Sequence, residues 1–369
     1  MRISNSGLRQ NLIHTLNRSL ERIERIQMEM ATGKRILNPS DDPPGTIRAL
    51  SFRRRLDDNA QCQTNVSDGL RWNTTTESAL TAVLENLMQL KELATRAADD
   101  AMGDRAAIGF SADQLLNDLL DLSRSKVDER HVFSGYNTNS APFDQSNQIT
   151  DEIFTAGAVD AAVDLVNARI EEGSVVVTDL SGAVTFAEGD DYTVDDASGR
   201  ITIVGGGGMS EGTQYLASYT TEGTSSVGVA DSIEGSIVRR IGSDRLTEVN
   251  LLGTEVFQGS VDLFQLTIDL KNALWKDDAE AVRGLLDSVG EGISHVTELL
   301  GIVGARAERL ENQDLQLQSD RIALEGFLSD VENVDLTSAV VRMQAEEMAY
   351  ETALATAARM LEISLVNYL

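Results

Sequence analysis

Three histidines, His14, His131 and His295, are the side chains of this chain best suited to acid–base work or zinc ligation. They lie in separate segments, and no spacing brings convergent partners to any of them. All three read as exposed or interface histidines. Cys62 is the only cysteine, which excludes an internal disulfide framework and a cysteine zinc cluster. A buried or half-buried free thiol is its reading. GDDYTVDDASGR, residues 189–200, gathers four aspartates. It lacks the spacing and final glutamate of an EF-hand, and Asp195 to Gly199 fit a hairpin loop. GGGGMSEG, Gly205 to Gly212, follows a strand-like run but lacks the GK[ST] ending of a phosphate loop, so it reads as a turn. No G-x-S-x-G nucleophile motif occurs. The proline of Asn38-Pro39-Ser40 excludes glycosylation there. No catalytic residue, metal ligand or cofactor is expected, and the chain does not read as an enzyme.

Charge narrows the partners. The net charge of −28 disfavours duplex nucleic acid and anionic membranes, because both need clustered lysine and arginine. No run of eighteen apolar residues is present, so membrane insertion is not expected. The beginning, MRISNSGLRQNLIHTL, lacks the apolar core of a cleaved signal peptide. A cytoplasmic protein is the default, with export by a route that needs no cleaved signal left open.

What remains is architecture. Prolines occur at Pro39, Pro43, Pro44 and Pro142, and each is expected to end or start a helix. Before the first three, Leu12, Leu16, Leu20, Ile23, Ile26 and Met30 wind along one face of a helix from about Ser4 to Thr32. Gly33 supplies its left-handed end. Ser40, Asp41 or Asp42 caps the next helix, with Pro43 or Pro44 pre-set for its first helical position. TGKRILNPSDDPPG is therefore a corner of fixed shape, built on Gly33, Pro39, Asp41, Asp42, Pro43 and Pro44.

The second helix runs to about Ala98 with Phe52, Leu56, Val66, Leu70, Leu80, Leu84 and Leu87 in heptad positions. Asn59, Gln63, Asn73 and Glu77 interrupt that seam and fix register at a cost in stability. A third helix is predicted from about Asp104 to Arg130. Between Phe133 and Asn250, SVVVTDL, AVTFAE, DYTV, RITIV and TQYLASYT are short β-branched runs between turns, and acids well outnumber bases. Then Val282, Val289, Val296, Val303, Leu310, Leu317, Leu324 and Val331 recur every seven residues, which predicts a supercoiled seam. Gly284, Gly292, Gly301 and Gly304 would admit a neighbouring backbone. Asn333 or Asp335 caps a last helix running to Leu369.

The fold class is thus mainly α with an inserted β domain: long antiparallel helices from both chain ends plus a central all-β domain. The divisions are 1–44, N-terminal helix and corner; 45–135 and 251–332, the two halves of a helical rod; 136–250, the β-rich domain; and 333–369, the C-terminal helix. Apolar stripes near both ends stay partly uncovered in a single copy, which marks a partner site. Leu12, Leu16, Ile23 and Met30 on the first helix and Leu354, Leu361, Leu365 and Tyr368 on the last are the candidate interface. These ends are expected to gain order when copies assemble.

MATGKRILNPSDDPPG (Met30 to Gly45), HVFSGYNTNSAPF (His131 to Phe143), LSDVENVDLTSAVVRMQ (Leu328 to Gln344) and ARMLEISLVNYL near the end resemble the flagellin-like family of bacterial flagellar proteins. The resemblance covers roughly 1–143 and 250–369 and is nearest to members placed between hook and filament. It implies a coiled-coil bundle of terminal helices that self-assembles after export, and a secreted, structural role in motility. It also implies partners: further copies of itself, a neighbouring hook-associated protein, flagellin, the flagellar export apparatus and an export chaperone. Flagellin itself is the alternative. A ligand-binding protein built on the β domain and a cytoplasmic coiled-coil scaffold are the readings from other classes.

Overall fold

The seven-residue repeat that starts at Val282 becomes one helix of 54 residues. Around it, a computed structural model describes residues 5–99, 105–230 and 233–366, with side chains for all of these except 5, 6, 8, 9 and 360–366. In chain order the elements are α1 (Asn5–Thr32), α2 (Pro43–Ala97), α3 (Arg105–Ser123), β1 (Lys126–Val127), β2 (Arg130–His131), β3 (Phe143–Ser146), β4 (Gln148–Thr155), β5 (Ala162–Asp164), β6 (Val176–Asp179), β7 (Thr185–Phe186), β8 (Tyr192–Asp195), β9 (Arg200–Ile203), β10 (Gln214–Thr220), β11 (Ser226–Val229), β12 (Val238–Arg240), β13 (Leu246–Glu248), α4 (Gly253–Phe257), α5 (Leu263–Trp275), α6 (Ala279–Glu332) and α7 (Leu336–Val366). This is mainly α with an inserted β domain, as the periodicities predict. Two compact units result: Met1–Gln63 with Leu315–Leu369, and Thr64–Asp314.

The first unit is helical. Its α1 packs on α7. Phe52 of α2 lies 5.8 Å from Phe327 of α6, centroid to centroid. Asn59, buried, donates from Nδ2 to the Leu317 carbonyl at 3.0 Å.

The second unit holds two cores. In the helical one, α3 packs on α5, and Val282, Val289, Val296 and Val303 are all buried, as the seam requires. Burying each such side chain stabilises by roughly 1.5–3 kcal/mol relative to exposure. Here Asn73 repeats the motif of Asn59 fourteen residues on, donating to the Val303 carbonyl at 2.8 Å. Both asparagines thus occupy the seam predicted for them. Gln63 is half-buried and Glu77 exposed, so Glu77 lies outside it.

The HVFSGYNTNSAPF turn feeds this core. Phe133 and Phe143 meet Phe257 edge-on at 5.5 and 5.6 Å, and Phe257 stacks on Phe264 at 5.1 Å. Gly135 permits the turn: its φ is +58°, and a Cβ would lie 2.6 Å from the Glu234 carbonyl oxygen.

The β core is built on a four-stranded sheet, β4-β10-β6-β7, and a three-stranded sheet, β5-β9-β8, both antiparallel. Alternation decides what is inside: along β10, Tyr215, Ala217 and Tyr219 are buried. The β domain is fastened to α5 by polar groups. Asn272 donates to Asn167 at 2.9 Å, and Lys276 donates to the carbonyls of Leu165 and Val166. Lys271, 2% exposed, reaches Asp113 at 3.0 Å and the Thr224 carbonyl at 2.5 Å.

Four further expectations need correction. The third helix ends at Ser123, because Asp128 and Glu129 take positive φ and close a two-residue hairpin between β1 and β2. Pro142 bounds no helix: it precedes β3, where a residue without an amide donor is tolerated. Gly284, Gly301 and Gly304 face open space, and only Gly292 has a neighbour that a Cβ would touch, the Leu263 side chain at 2.9 Å. His131 is buried rather than exposed.

Candidate functional site: the helical ends and their corner

The corner is assembled as its residue types dictate. Gly33 takes φ +70°, ending α1. Asp42 is the N-cap of α2: its Oδ1 accepts from the Gly45 amide at 3.0 Å, and Pro43 stands at the first helical position. A Cβ on Gly45 would lie 2.4 Å from the Asp42 carboxylate, so the cap needs that glycine. Asp41 turns the other way, accepting from the amides of Asn38 at 2.8 Å and Leu37 at 3.2 Å. Each aspartate therefore ties a different stretch of backbone. The Gly45 amide, with Arg35 at 3.1 Å, holds the Asp42 carboxyl below its ordinary value of 3.8. Pro39, Pro43 and Pro44 are exposed and restrict the chain rather than pack it.

The corner is bonded to the start of the last helix. Arg35 N donates to the Glu332 carbonyl at 2.7 Å, and Val334 N donates to the Gly33 carbonyl at 2.9 Å. Asp335 caps α7, accepting from the amides of Thr337 and Ser338. Around these bonds runs an ion network. The nearly buried Glu29 carboxylate faces Arg342 at 3.1 Å and Arg25 at 3.5 Å, and Arg25 also reaches Asp41 at 3.2 Å. Glu332, buried, faces Arg53 at 2.7 Å and Lys34 at 3.6 Å. Arg22 pairs with Glu346 at 2.8 Å. Arginine suits such sites because it stays charged when half-desolvated. Sequence reasoning missed Glu29, Glu332, Arg53 and Arg342. Only Arg25–Glu29, four residues apart on one helix, left a local signal.

Of the eight apolar candidates, Leu12, Leu16, Ile23 and Met30 are half-buried in the single copy, and Leu354 is exposed. Leu361 and Leu365 lie in the part of α7 whose side chains are not described, and Tyr368 lies outside the described residues. Leu12 lines a cleft of about 640 Å³ between α1 and α7, with Asn11, Thr15, Met348 and Thr352. Other large apolar side chains of the same unit are more open. Ile13, Met28, Ile47, Leu315, Ile322, Val341 and Met348 are between 55 and 71% exposed. Together they leave much of this unit's apolar side-chain surface uncovered in the single copy.

Among the described residues no group of three or more histidine, cysteine or acidic side chains could hold a metal. His295 approaches the Glu255 carbonyl at 2.8 Å, and burial draws the His131 imidazole below its ordinary 6.5. Among the described residues no helix is long and apolar enough to cross a membrane.

Comparison with known proteins places both ends of the chain. Residues 3–138 match the bacterial flagellin N-terminal helical region, and residues 286–369 match the bacterial flagellin C-terminal helical region. Residues 138–234 match a family described as a protein of unknown function. Flagellar hook-associated protein 3 of Salmonella typhimurium is 28% identical over 149 residues, 40% of this chain and 47% of that relative. Flagellin of Salmonella oranienberg is 23% identical over 270 residues, 73% of this chain and 49% of the relative. The chain spans about half the length of the curated relatives it matches. A solved flagellar hook-associated protein from Vibrio parahaemolyticus shares the fold, with a TM-score of 0.50 at 15% identity over 79% of this chain and 100% of that one. With a flagellin-type helical region matched at each end and the fold shared between them, the chain belongs to the flagellin-like family.

Proposed function

We propose that this chain is a structural subunit of the bacterial flagellum that joins hook to filament, assembling through its terminal helices after export. The observation that carries the reading is the open apolar surface of the helical unit, too extensive for a subunit that works alone. The name of the Salmonella relative, hook-associated protein 3, supports the hook end of the role. Further copies, a neighbouring hook-associated protein and flagellin are the partners, and the export apparatus with an export chaperone delivers the subunit. The chain is not an enzyme, and no cofactor takes part. The 45–135 and 251–332 segments serve as a rod, 1–44 and 333–369 as the inner assembly segments, and 136–250 as the outward domain.

Deleting the gene in its own cell and imaging the flagella tests this. Hooks without filaments, with flagellin shed into the medium, are the expected result; intact filaments overturn it. Flagellin is the second reading, favoured by the 73% of this chain aligned to a flagellin. It requires the purified protein to polymerise into long filaments by itself, which a junction subunit does not do.

A further inference from the structure

Two faces of the helical unit carry matching patterns that nothing in a single copy uses. On α2, Ile47 and Arg54 stand seven residues apart on the side away from the buried Ala49 and Asn59, with Leu50 between them; all three are exposed. On α7, Val340, Glu347 and Leu354 stand seven apart and are likewise exposed. The opposite side of α7 is occupied already, by Arg342 and Glu346 in their pairs with Glu29 and Arg22. Among the described residues neither Arg54 nor Glu347 has an ionic or hydrogen-bonded partner.

Spacing and sign together identify an occupant. Helices that meet along seven-residue stripes present one stripe to the other, and flanking charges choose the partner and its direction. Set antiparallel, the stripes place Ile47 opposite Leu354 and Arg54 opposite Glu347. Arg55 and Glu351, both exposed, flank the contact with the same opposition of sign. We propose that the outer face of α2 around Arg54 docks on the outer face of α7 around Glu347 in a second copy of this chain. The apolar residues supply adhesion, and the opposite charges fix register. The contact deepens the assembly reading above by naming which surface meets which.

Cysteine cross-linking between copies tests it. With Cys62→Ser as background, full-length Arg54→Cys is mixed with full-length Glu347→Cys at assembling concentration and oxidised. The mixed pair is expected to cross-link far more than Arg54→Cys mixed with Ser319→Cys. Charge reversal gives the second arm: Arg54→Glu with Arg55→Glu should weaken self-association about tenfold or more, and adding Glu347→Arg with Glu351→Arg should restore it. Circular dichroism confirms that each variant remains helical. No preferential cross-link, or no recovery on double reversal, overturns the contact whatever the deleted cell looks like. A cross-link with recovery upholds it even if the cell retains its filaments.

Discussion

Lys271 carries its charge into the interior, where it is 2% exposed. Burial pushes its ammonium pKa down, and Asp113 at 3.0 Å opposes that shift. Removing the acid leaves a buried charge unpaired, whereas removing both ends of the pair does not. Asp113→Ala should therefore destabilise the Thr64–Asp314 unit by about 3 kcal/mol, and adding Lys271→Met should recover most of it. Urea unfolding of the three proteins checks both statements; equal losses in the single and double variants would defeat the expected recovery. His131 carries a second test. Its folded-state pKa lies below 6.5 because burial disfavours the imidazolium, and Lys126 adds repulsion. The unfolded chain therefore takes up the proton first, so stability falls as pH drops through 6.5 and continues to fall until the folded imidazole titrates too. Thermal midpoints of the native chain and His131→Gln, compared between pH 7.5 and pH 5, should show a smaller loss in the variant.

Among the elements, legibility followed the reach of the signal. The seven-residue repeat, the cap at Asp42 and the proline at the first turn of α2 are local, so α1, α2, α6 and α7 were readable from residue types alone. α5 was not, because ten of its thirteen residues, Thr267, Lys271 and Asn272 among them, are buried, so residue type does not mark a solvent face. The end of α3 was missed because its apolar spacing continues into a hairpin whose turn, Asp128-Glu129, lacks the usual glycine. The ion network joins residues up to 324 positions apart, which no window along the chain detects. The corner was legible as a shape, and its bonds to the start of α7 were not. This division yields a prediction. Pro43→Gly with Pro44→Gly keeps the cap at Asp42 and the bonds from Arg35 and Val334, but frees the backbone that the prolines hold. Assembly should suffer more than folding of the single copy. Circular dichroism melts near those of the native chain, together with lost motility, are the expected pair of results; normal motility would defeat it.

For the whole molecule, charge is divided as unevenly as secondary structure. Met1–Gln63 with Leu315–Leu369 carries 14 Lys and Arg against 16 Asp and Glu, whereas Thr64–Asp314 carries 17 against 43. Copies that join through the nearly neutral unit must also bring their strongly anionic units together. That repulsion is long-ranged and sensitive to salt: the screening length shrinks from about 30 Å at 0.01 M to about 8 Å at 0.15 M. The Arg54–Glu347 contact responds in the opposite direction, but it sets two pairs of charges against a net excess of 26 acids in the Thr64–Asp314 unit of every copy. Repulsion wins at low salt. Self-association measured by sedimentation should therefore rise between 0.01 and 0.15 M salt. Neutralising exposed acids of the second unit, Glu172→Gln, Asp190→Asn and Glu211→Gln together, should flatten that rise without altering the melt. Association that weakened as salt was added would mean that ion pairs, rather than apolar faces working against an acidic exterior, hold the copies together.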